Sequence, residues 1–355
     1  MYKRIIVKIG SGVISKEGQF NATVVAQLVK QIVSLNKIGV EIVLITSGAV
    51  ATGRGVLKLN DKIESIVQKQ VFAAVGQVKL MSFYADIFAK YGYVCAQVLV
   101  TKEDFRDRQH YLNLKNCFEN LLQDSVVPVV NENDVIAITE LIFTDNDELA
   151  GLIASQLNAD AVIVLTSVEG VLDGNPSDPK AQVISEIDFT KSLSIEKYIT
   201  HDKSALGRGG MHTKFGIAKK LATQGIVTHI ANGKRPNIIV DIVEGKIVGT
   251  KFIPKRKLSA AKRRLAFSEG LSRGIVYVNK CAQEVLLSKK AVSLLPIGIV
   301  KVEGNFEKGD VIEIRNEAKK KLGFGIAQYD SKKASASMGQ KKIRALIHCD
   351  HMFLE

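Results

Sequence analysis

The chain has no CxxC pair: its four cysteines, Cys95, Cys117, Cys281 and Cys349, stand far apart along 355 residues. That spacing excludes a cysteine-built zinc framework and a disulfide-stapled miniprotein, and it fits a reducing cytoplasm. No uninterrupted apolar run reaches the roughly 18 residues that a membrane span needs, so no membrane partner is expected. After Lys3-Arg4 the chain meets its second charge cluster, at Lys8, too soon to hold a secretory core, which predicts a cytoplasmic protein. Internal repeats and low-complexity tracts are also missing. So are a GxxxxGKS/T loop, a GxGxxG turn after the first strand and an HExxH helix. The segment Gly207-Arg208-Gly209-Gly210-Met211-His212-Thr213-Lys214 carries its lysine after the threonine and is not a Walker A loop.

With 46% hydrophobic and 24% charged residues, the composition excludes a disordered or collagen-like chain. The length predicts two domains. The net charge of +13 is uneven. Residues 1–254 hold 28 basic against 26 acidic side chains, residues 255–264 hold six basic and no acidic ones, and the remainder holds 15 against 10. A nearly neutral body therefore carries a basic tail section.

The body alternates strand-like and helix-like segments. Residues 4–9 read as a strand ending at Gly10-Ser11-Gly12. Asn21 caps a helix to about Lys37, with Val24, Val25, Leu28, Ile32 and Leu35 at helical spacing. Residues 40–46 read as a buried strand running into Ser47-Gly48-Ala49. A long helix is expected over 64–90, bent at Gly76, then a strand at 93–100 and a helix to about Gln123. Strands at 126–130, 161–165 and 226–230 and helices at 147–157 and 211–223 complete the pattern. Such alternation predicts an α/β fold, a three-layer αβα sandwich with a mostly parallel sheet. Ligands of such sheets sit beyond the carboxyl ends of the strands, which directs attention to the turns after Ile9, Thr46, Val130 and Leu165. Beyond Gly270, short strands at 274–279, 298–302, 310–314, 323–328 and 345–348 predict a small β-barrel.

Those turns hold the polar residues. Lys8, in an otherwise apolar strand, is either an exposed edge residue or a charge held over an anionic ligand. The small residues after it allow backbone N–H groups to approach a phosphate. Thr46-Ser47-Gly48-Ala49 repeats the arrangement, although a plain helix cap looks the same. Asn131-Glu132-Asn133-Asp134 and Asp145-Asn146-Asp147-Glu148 are dense polar clusters beside apolar segments; taken singly, each fits a solvated turn. With Gly209-Gly210 and Lys214 they supply two ammonium groups, amide donors and carboxylates near one sheet edge. That set can move a phosphoryl group onto an anionic acceptor. His348-Cys349-Asp350-His351 reads as a frayed, solvated chain end, and no metal ligand is assigned.

The segments VKIGSGVIS (7–15), ITSGAVATGRG (45–55), QKQVFAAVGQ (68–77), DRQHYLN (107–113), VVPVVNENDVI (126–136), FTDNDELA (143–150), GRGGMHTK (207–214) and SLLPIGIVKVEGNFEKGDVIEI (293–314) span essentially the whole chain. In this order they resemble the glutamate 5-kinases, amino acid kinases with an appended PUA domain. The resemblance implies a kinase domain at 1–254, a basic linker at 255–273 and a PUA domain at 274–355. It implies the reaction of ATP with L-glutamate, with Mg²⁺, to give L-glutamyl 5-phosphate and ADP, which opens proline biosynthesis. Carried over motif by motif, Lys8 and Lys214 act on the phosphates and Asp147 orients the two lysines. Ser47, Asp134 and Asn146 bind glutamate. Thr166, Ser167, Arg208, Gly209, Gly210, Met211, His212 and Thr213 contact ATP together with Lys8 and Lys214. A γ-carboxylate is already ionised near neutral pH, so no strong base is needed and a catalytic histidine is not missed. The resemblance also implies a homo-oligomer, a dimer or tetramer, and feedback inhibition by proline.

The chain departs from the family pattern at Ser167, where Asp is common, which bears on contacts to the base or ribose. Arg208 and His212 replace small residues, and Gly12 replaces a common Ser. A related kinase for aspartate, N-acetylglutamate, carbamate or UMP fits the polar clusters and the PUA-like tail less well. Nucleic acid is not the expected partner of the basic run, because residues 255–264 contain no aromatic to stack a base and only Phe267 lies near.

Overall fold

The computed structural model describes residues 2–16, 19–57, 66–136, 146–174, 178, 180–190, 210–254, 265, 268, 270–288 and 292–354. The chain divides into two compact units, Met1–Thr101 with Lys115–Lys257, and Lys102–Leu114 with Leu258–Glu355.

In the first unit, β1 (Arg4–Ile9) leads into a one-turn helix α1 (Ser11–Ile14) and a tiny hairpin of β2 (Ser15–Lys16) and β3 (Gln19–Phe20). Then come α2 (Ala22–Asn36), β4 (Glu41–Ile45), α3 (Ala49–Leu57), α4 (Ile66–Ala89) and β5 (Cys95–Val100). The chain then runs through α5 (Lys102–Arg106) and α6 (Arg108–Gln123), which as far as Leu114 group with the second unit, before β6 (Val127–Glu132), α7 (Asn146–Gln156), β7 (Ala161–Thr166) and β8 (Glu186–Asp188). The unit closes with α8 (Met211–Thr223), β9 (Val227–Asn232), α9 (Ile238–Val243) and β10 (Thr250–Ile253). The sheet order is β5-β6-β4-β1-β7-β9-β10-β8, and every pair from β5 to β9 is parallel. Only the junction of β9 with β10 is antiparallel. The mostly parallel α/β sheet expected of the alternating segments is present.

Strand alternation decides which helices cover which face. Ile5, Val7 and Ile9 of β1 pack with Leu28 and Ile32 of α2, Tyr84 and Phe88 of α4 and Ile239 of α9 in one apolar cluster. Ile6 and Lys8 point to the opposite face, where α7 packs on β1. The helix boundaries follow local chemistry. Asn21 Oδ1 accepts the Val24 N–H, the cap expected of its sequence position. Gly76 serves close packing: a Cβ there would lie 1.8 Å from the Ala49 carbonyl oxygen of α3. Helix α4 is long and apolar enough to cross a membrane by length and composition, yet Leu80, Tyr84, Ile87 and Phe88 are core residues here.

His229 of β9 is buried and hydrogen-bonds the Tyr2 hydroxyl at 2.9 Å. Burial, helped by the charge of Lys251, pushes its pKa down to about 4.

The second unit is a five-stranded sheet of β11 (Gly274–Val278), β12 (Ile299–Gly304), β13 (Val311–Asn316), β14 (Lys321–Ile326) and β15 (Met352–Leu354), in the order β12-β11-β13-β14-β15. Val276, Ile312, Ile314, Leu346 and Ile347 form its core. Two expectations are corrected. The fifth strand is formed by residues 352–354, three apolar residues too few to show a period, while residues 345–348 contribute a single bridge of Ile347 to Leu294. The segment His348–His351 is therefore not frayed: it forms a turn held between that bridge and the pairing of Met352 with Gly325. Its Cys349 N–H donates to Ser293 Oγ at 3.0 Å. Residues 102–114 belong to this unit, in which Arg273 reaches Asp107 at 2.9 Å and Glu103 at 3.3 Å. Of the basic linker expected at 255–273, residues 255–264, 266, 267 and 269 lie outside the described residues.

Candidate active site

β1 is hydrogen-bonded to β4 on one side and β7 on the other, with Lys8 in register with Ile45 and Val164. Of the two readings its sequence left open, the exposed edge is excluded. A lysine buried in a sheet must have its charge met. Asp147, the second residue of α7, meets it, with Oδ1 2.6 Å from Lys8 Nζ. The other oxygen lies 3.0 Å from the Nζ of Lys214, in the first turn of α8. The side chains of Lys8, Lys214 and Asp147 are 4%, 8% and 0% exposed. One carboxylate thus spaces two ammonium groups, and the trio keeps a net positive charge where water scarcely reaches. Such a group favours an anion at its open side.

A second cluster ties the carboxyl ends of β4 and β6 to the start of α7. Asn146 Nδ2 donates to the Thr46 carbonyl and to Ser47 Oγ, both at 2.9 Å, and to Asn131 Oδ1 at 3.2 Å. Asn131 Nδ2 in turn donates to Gln77 Oε1 of α4 at 3.0 Å. Thr46 Oγ1 shares a hydrogen bond of 2.8 Å with the Tyr84 hydroxyl. Burial raises the Tyr84 pKa far above its usual value, with the Thr46 contact acting the other way. Gly48, after Ser47, has φ of +101°, a conformation a side chain would strain, and a Cβ there would meet Ile14 Cδ1 at 2.7 Å. Asn131 and Glu132 belong to β6 and are buried, so this half of the polar cluster is strand and not solvated turn. Asp134, two residues on, is half-buried and lines a cavity of about 220 Å³ with Gln77 and Glu132.

The turn after β1 lies beside the turn after β7. Gly10 N–H donates to the Leu165 carbonyl at 2.9 Å, and a Cβ on Gly12 would sit 3.4 Å from Ser167 Oγ. Thr166 ends β7 and its carbonyl accepts the Gly233 N–H at 2.9 Å. Gly210 is the extended N-cap of α8, and Met211, His212, Thr213 and Lys214 form its first turn. Lys8, Ser47, Asp134, Asn146, Asp147, Thr166 and Ser167 thus occupy the carboxyl ends of the parallel strands or the start of α7, and α8 brings Lys214 to them. Arg208, Gly209 and Asp145 lie outside the described residues.

Residues 3–232 match the amino acid kinase family and residues 274–347 the PUA domain. Across its full length the chain is 47% identical to the glutamate 5-kinase of Bacteroides thetaiotaomicron, covering 99% of that protein. It is 49% identical to the glutamate 5-kinase of Chlorobaculum tepidum, covering 98% of that relative and all of this chain. The chain belongs to the glutamate 5-kinase family.

Among solved structures, carbamate kinase from Giardia lamblia bound to AMP-PNP superposes with a TM-score of 0.50 at 19% identity, covering 71% of this chain and 98% of that one. That likeness is one of fold. In this glutamate 5-kinase family member the motif reading missed Gln77, Asn131, Thr46 and Tyr84 as site residues. Gln77 and Asn131 stood in the segments QKQVFAAVGQ and NEND, but nothing in their spacing marks an amide-to-amide contact across 54 residues.

Proposed function

We propose that the protein is an ATP-dependent glutamate 5-kinase, transferring the γ-phosphoryl group of ATP to the γ-carboxylate of L-glutamate in the first step of proline biosynthesis. The observation that carries this reading is Asp147 set between Lys8 and Lys214, an anion-seeking pair at the carboxyl edge of the sheet. In the proposed reaction an oxygen of the ionised γ-carboxylate attacks the γ-phosphorus, and the bond to the β-phosphate oxygen breaks with ADP leaving. Catalysis then consists of alignment and of cations at the equatorial oxygens of the transferring group. Lys8 and Lys214 supply those cations, and Asp147 holds both at fixed spacing. The small residues of the Gly10–Gly12 turn, with Thr166, Ser167, Arg208, Gly209, Gly210, Met211, His212 and Thr213, take the nucleotide, its phosphates at the start of α8.

Ser47, Asp134 and Asn146 take the amino acid. Asn146 has its N–H groups directed to Thr46, Ser47 and Asn131, so Oδ1 is the atom it offers a ligand. Mg²⁺ is proposed as the cation that accompanies ATP. Asp147 already engages two lysines, and the ion, when bound with ATP, would supply further charge neutralisation at the phosphates.

A homo-oligomer is supported by the edge strand β5 and the neighbouring exposed apolar residues Val67, Val71 and Val78 of α4 with Val94 and Leu99. Light scattering on the purified protein tests it. A kinase domain over 1–254, a PUA domain over 274–355, a cytoplasmic location and inhibition by proline complete the proposal. Release of ADP measured side by side with L-glutamate, L-aspartate and N-acetylglutamate tests the substrate. Glutamate is expected to exceed both others at least a hundredfold in kcat/KM. Equal or better turnover of either rival would overturn it.

A further inference from the structure

The contacts around Asn131 form a chain of amides that all face the same way. Asn146 Nδ2 donates to Asn131 Oδ1, and Asn131 Nδ2 donates to Gln77 Oε1. Asn131 Oδ1 also accepts the Glu132 N–H at 3.0 Å, which fixes the orientation of the middle amide. The chain therefore ends on a donor, the Nε2 of Gln77. That nitrogen is buried and has no hydrogen-bond partner, and Gln77 itself is only 8% exposed. Gln77 lines the cavity that Glu132 and Asp134 also line. A buried amide donor without an acceptor is unfavourable, and a chain of aligned amides strengthens the donor at its end.

We propose that this cavity is the subsite for the head group of the acceptor amino acid, with Gln77 Nε2 as the donor that receives its α-carboxylate. This rests on the reading of the protein as a glutamate kinase and adds a specificity-determining residue to it. The two carboxylates of Glu132 and Asp134 favour the α-ammonium, and Gln77 supplies the complementary donor. A zwitterionic head group matches that set, whereas an acid lacking the α-carboxylate leaves Nε2 without an acceptor. Gln97 and Asn133 complete the polar part of the lining, and the rest, Ala49, Ala73 and Val78 among it, is apolar.

4-Aminobutyrate, which is glutamate without its α-carboxylate, isolates the contact. Gln77→Leu removes the donor. Gln77→Glu keeps an acceptor for Asn131 Nδ2 and places an anion where the donor stood. Calorimetric titration of both acids, with kcat and KM for glutamate and ATP, is read for each variant. Gln77→Leu is expected to weaken glutamate binding about ten- to a hundredfold, and Gln77→Glu more, with kcat and the KM for ATP within threefold. Binding of 4-aminobutyrate stays unchanged in Gln77→Leu and is not weakened in Gln77→Glu. Parallel loss of the two ligands would show that Gln77 only supports Asn131, and unchanged glutamate binding would place a water molecule on Nε2; either overturns the subsite. Titration reads binding without turnover. Wild-type protein that transfers no phosphate to glutamate would instead count against the kinase reading.

Discussion

Lys8 Nζ lies 2.6 Å from Asp147 Oδ1, with the lysine in the middle strand of a parallel sheet and the aspartate entirely buried. Removing one partner or the other therefore has different consequences. Lys8→Met leaves Asp147 and Lys214 as a neutral pair, so the fold is expected to lose little stability while kcat falls by a factor of about 100–1,000. Asp147→Asn removes the carboxylate that meets both buried ammonium groups, and is expected to destabilise the protein by about 3–5 kcal/mol. Denaturant unfolding beside steady-state kinetics separates the two effects.

Lys214→Ala should lower kcat by a similar factor while the glutamate KM stays within threefold, because its charge acts on the transferring group. A variant that retains kcat within threefold of the wild type would remove Lys214 from the chemistry.

Asp134→Asn should raise the glutamate KM at least tenfold and leave ATP binding nearly intact. Its carboxylate is the proposed partner of the α-ammonium, and charge-assisted contacts are worth about 1.5–3 kcal/mol. Separate titrations of nucleotide and amino acid check the placement, and loss of ATP binding with retained glutamate affinity would reverse it.

Stability is expected to fall as the pH drops from about 6.5 towards 4. His229 is held neutral in the fold down to about pH 4, whereas in the unfolded chain it takes a proton near 6.5. The contribution is full above pH 6.5 and disappears as the pH falls through the folded value, roughly 3 kcal/mol in all. Urea midpoints at pH 7.0, 5.5 and 4.5 for the wild type and His229→Gln test the sign, since the variant should lose that part of the slope.

Truncation before residue 265 should leave kcat within threefold, because every described site residue lies in the first unit. Residues 102–114 would lose Arg273, the partner of Asp107 and Glu103, and should become the first point of protease attack. A soluble but inactive truncated protein would show that the second unit completes the site.

How far the site could be read in advance depended on whether the contact was local. The strand at Lys8, the cap at Asn21 and the helix at Met211–Thr223 follow from periodicity and capping chemistry, and the structure has them at or within a residue or two of the expected places. The mostly parallel sheet followed from alternation alone. Other features depend on packing. Strand β6 runs on through Asn131 and Glu132 because they pair with Leu99 and Val100 of β5, which a polar tetrapeptide does not reveal. Gly76 looked like a bend and instead gives α3 room. Strand β15 is three residues long and exists through its pairing with β14.

The central claim is that the acceptor is a carboxylate and the product an acyl phosphate. Hydroxylamine traps acyl phosphates as hydroxamates, so the direct measurement is the ratio of hydroxamate to ADP with L-glutamate as acceptor, with the position of the hydroxamate read by mass spectrometry. One γ-hydroxamate is expected per ADP, lost together with ADP release in Lys8→Met. ADP formed without hydroxamate, or a hydroxamate of the α-carboxyl group, would contradict it.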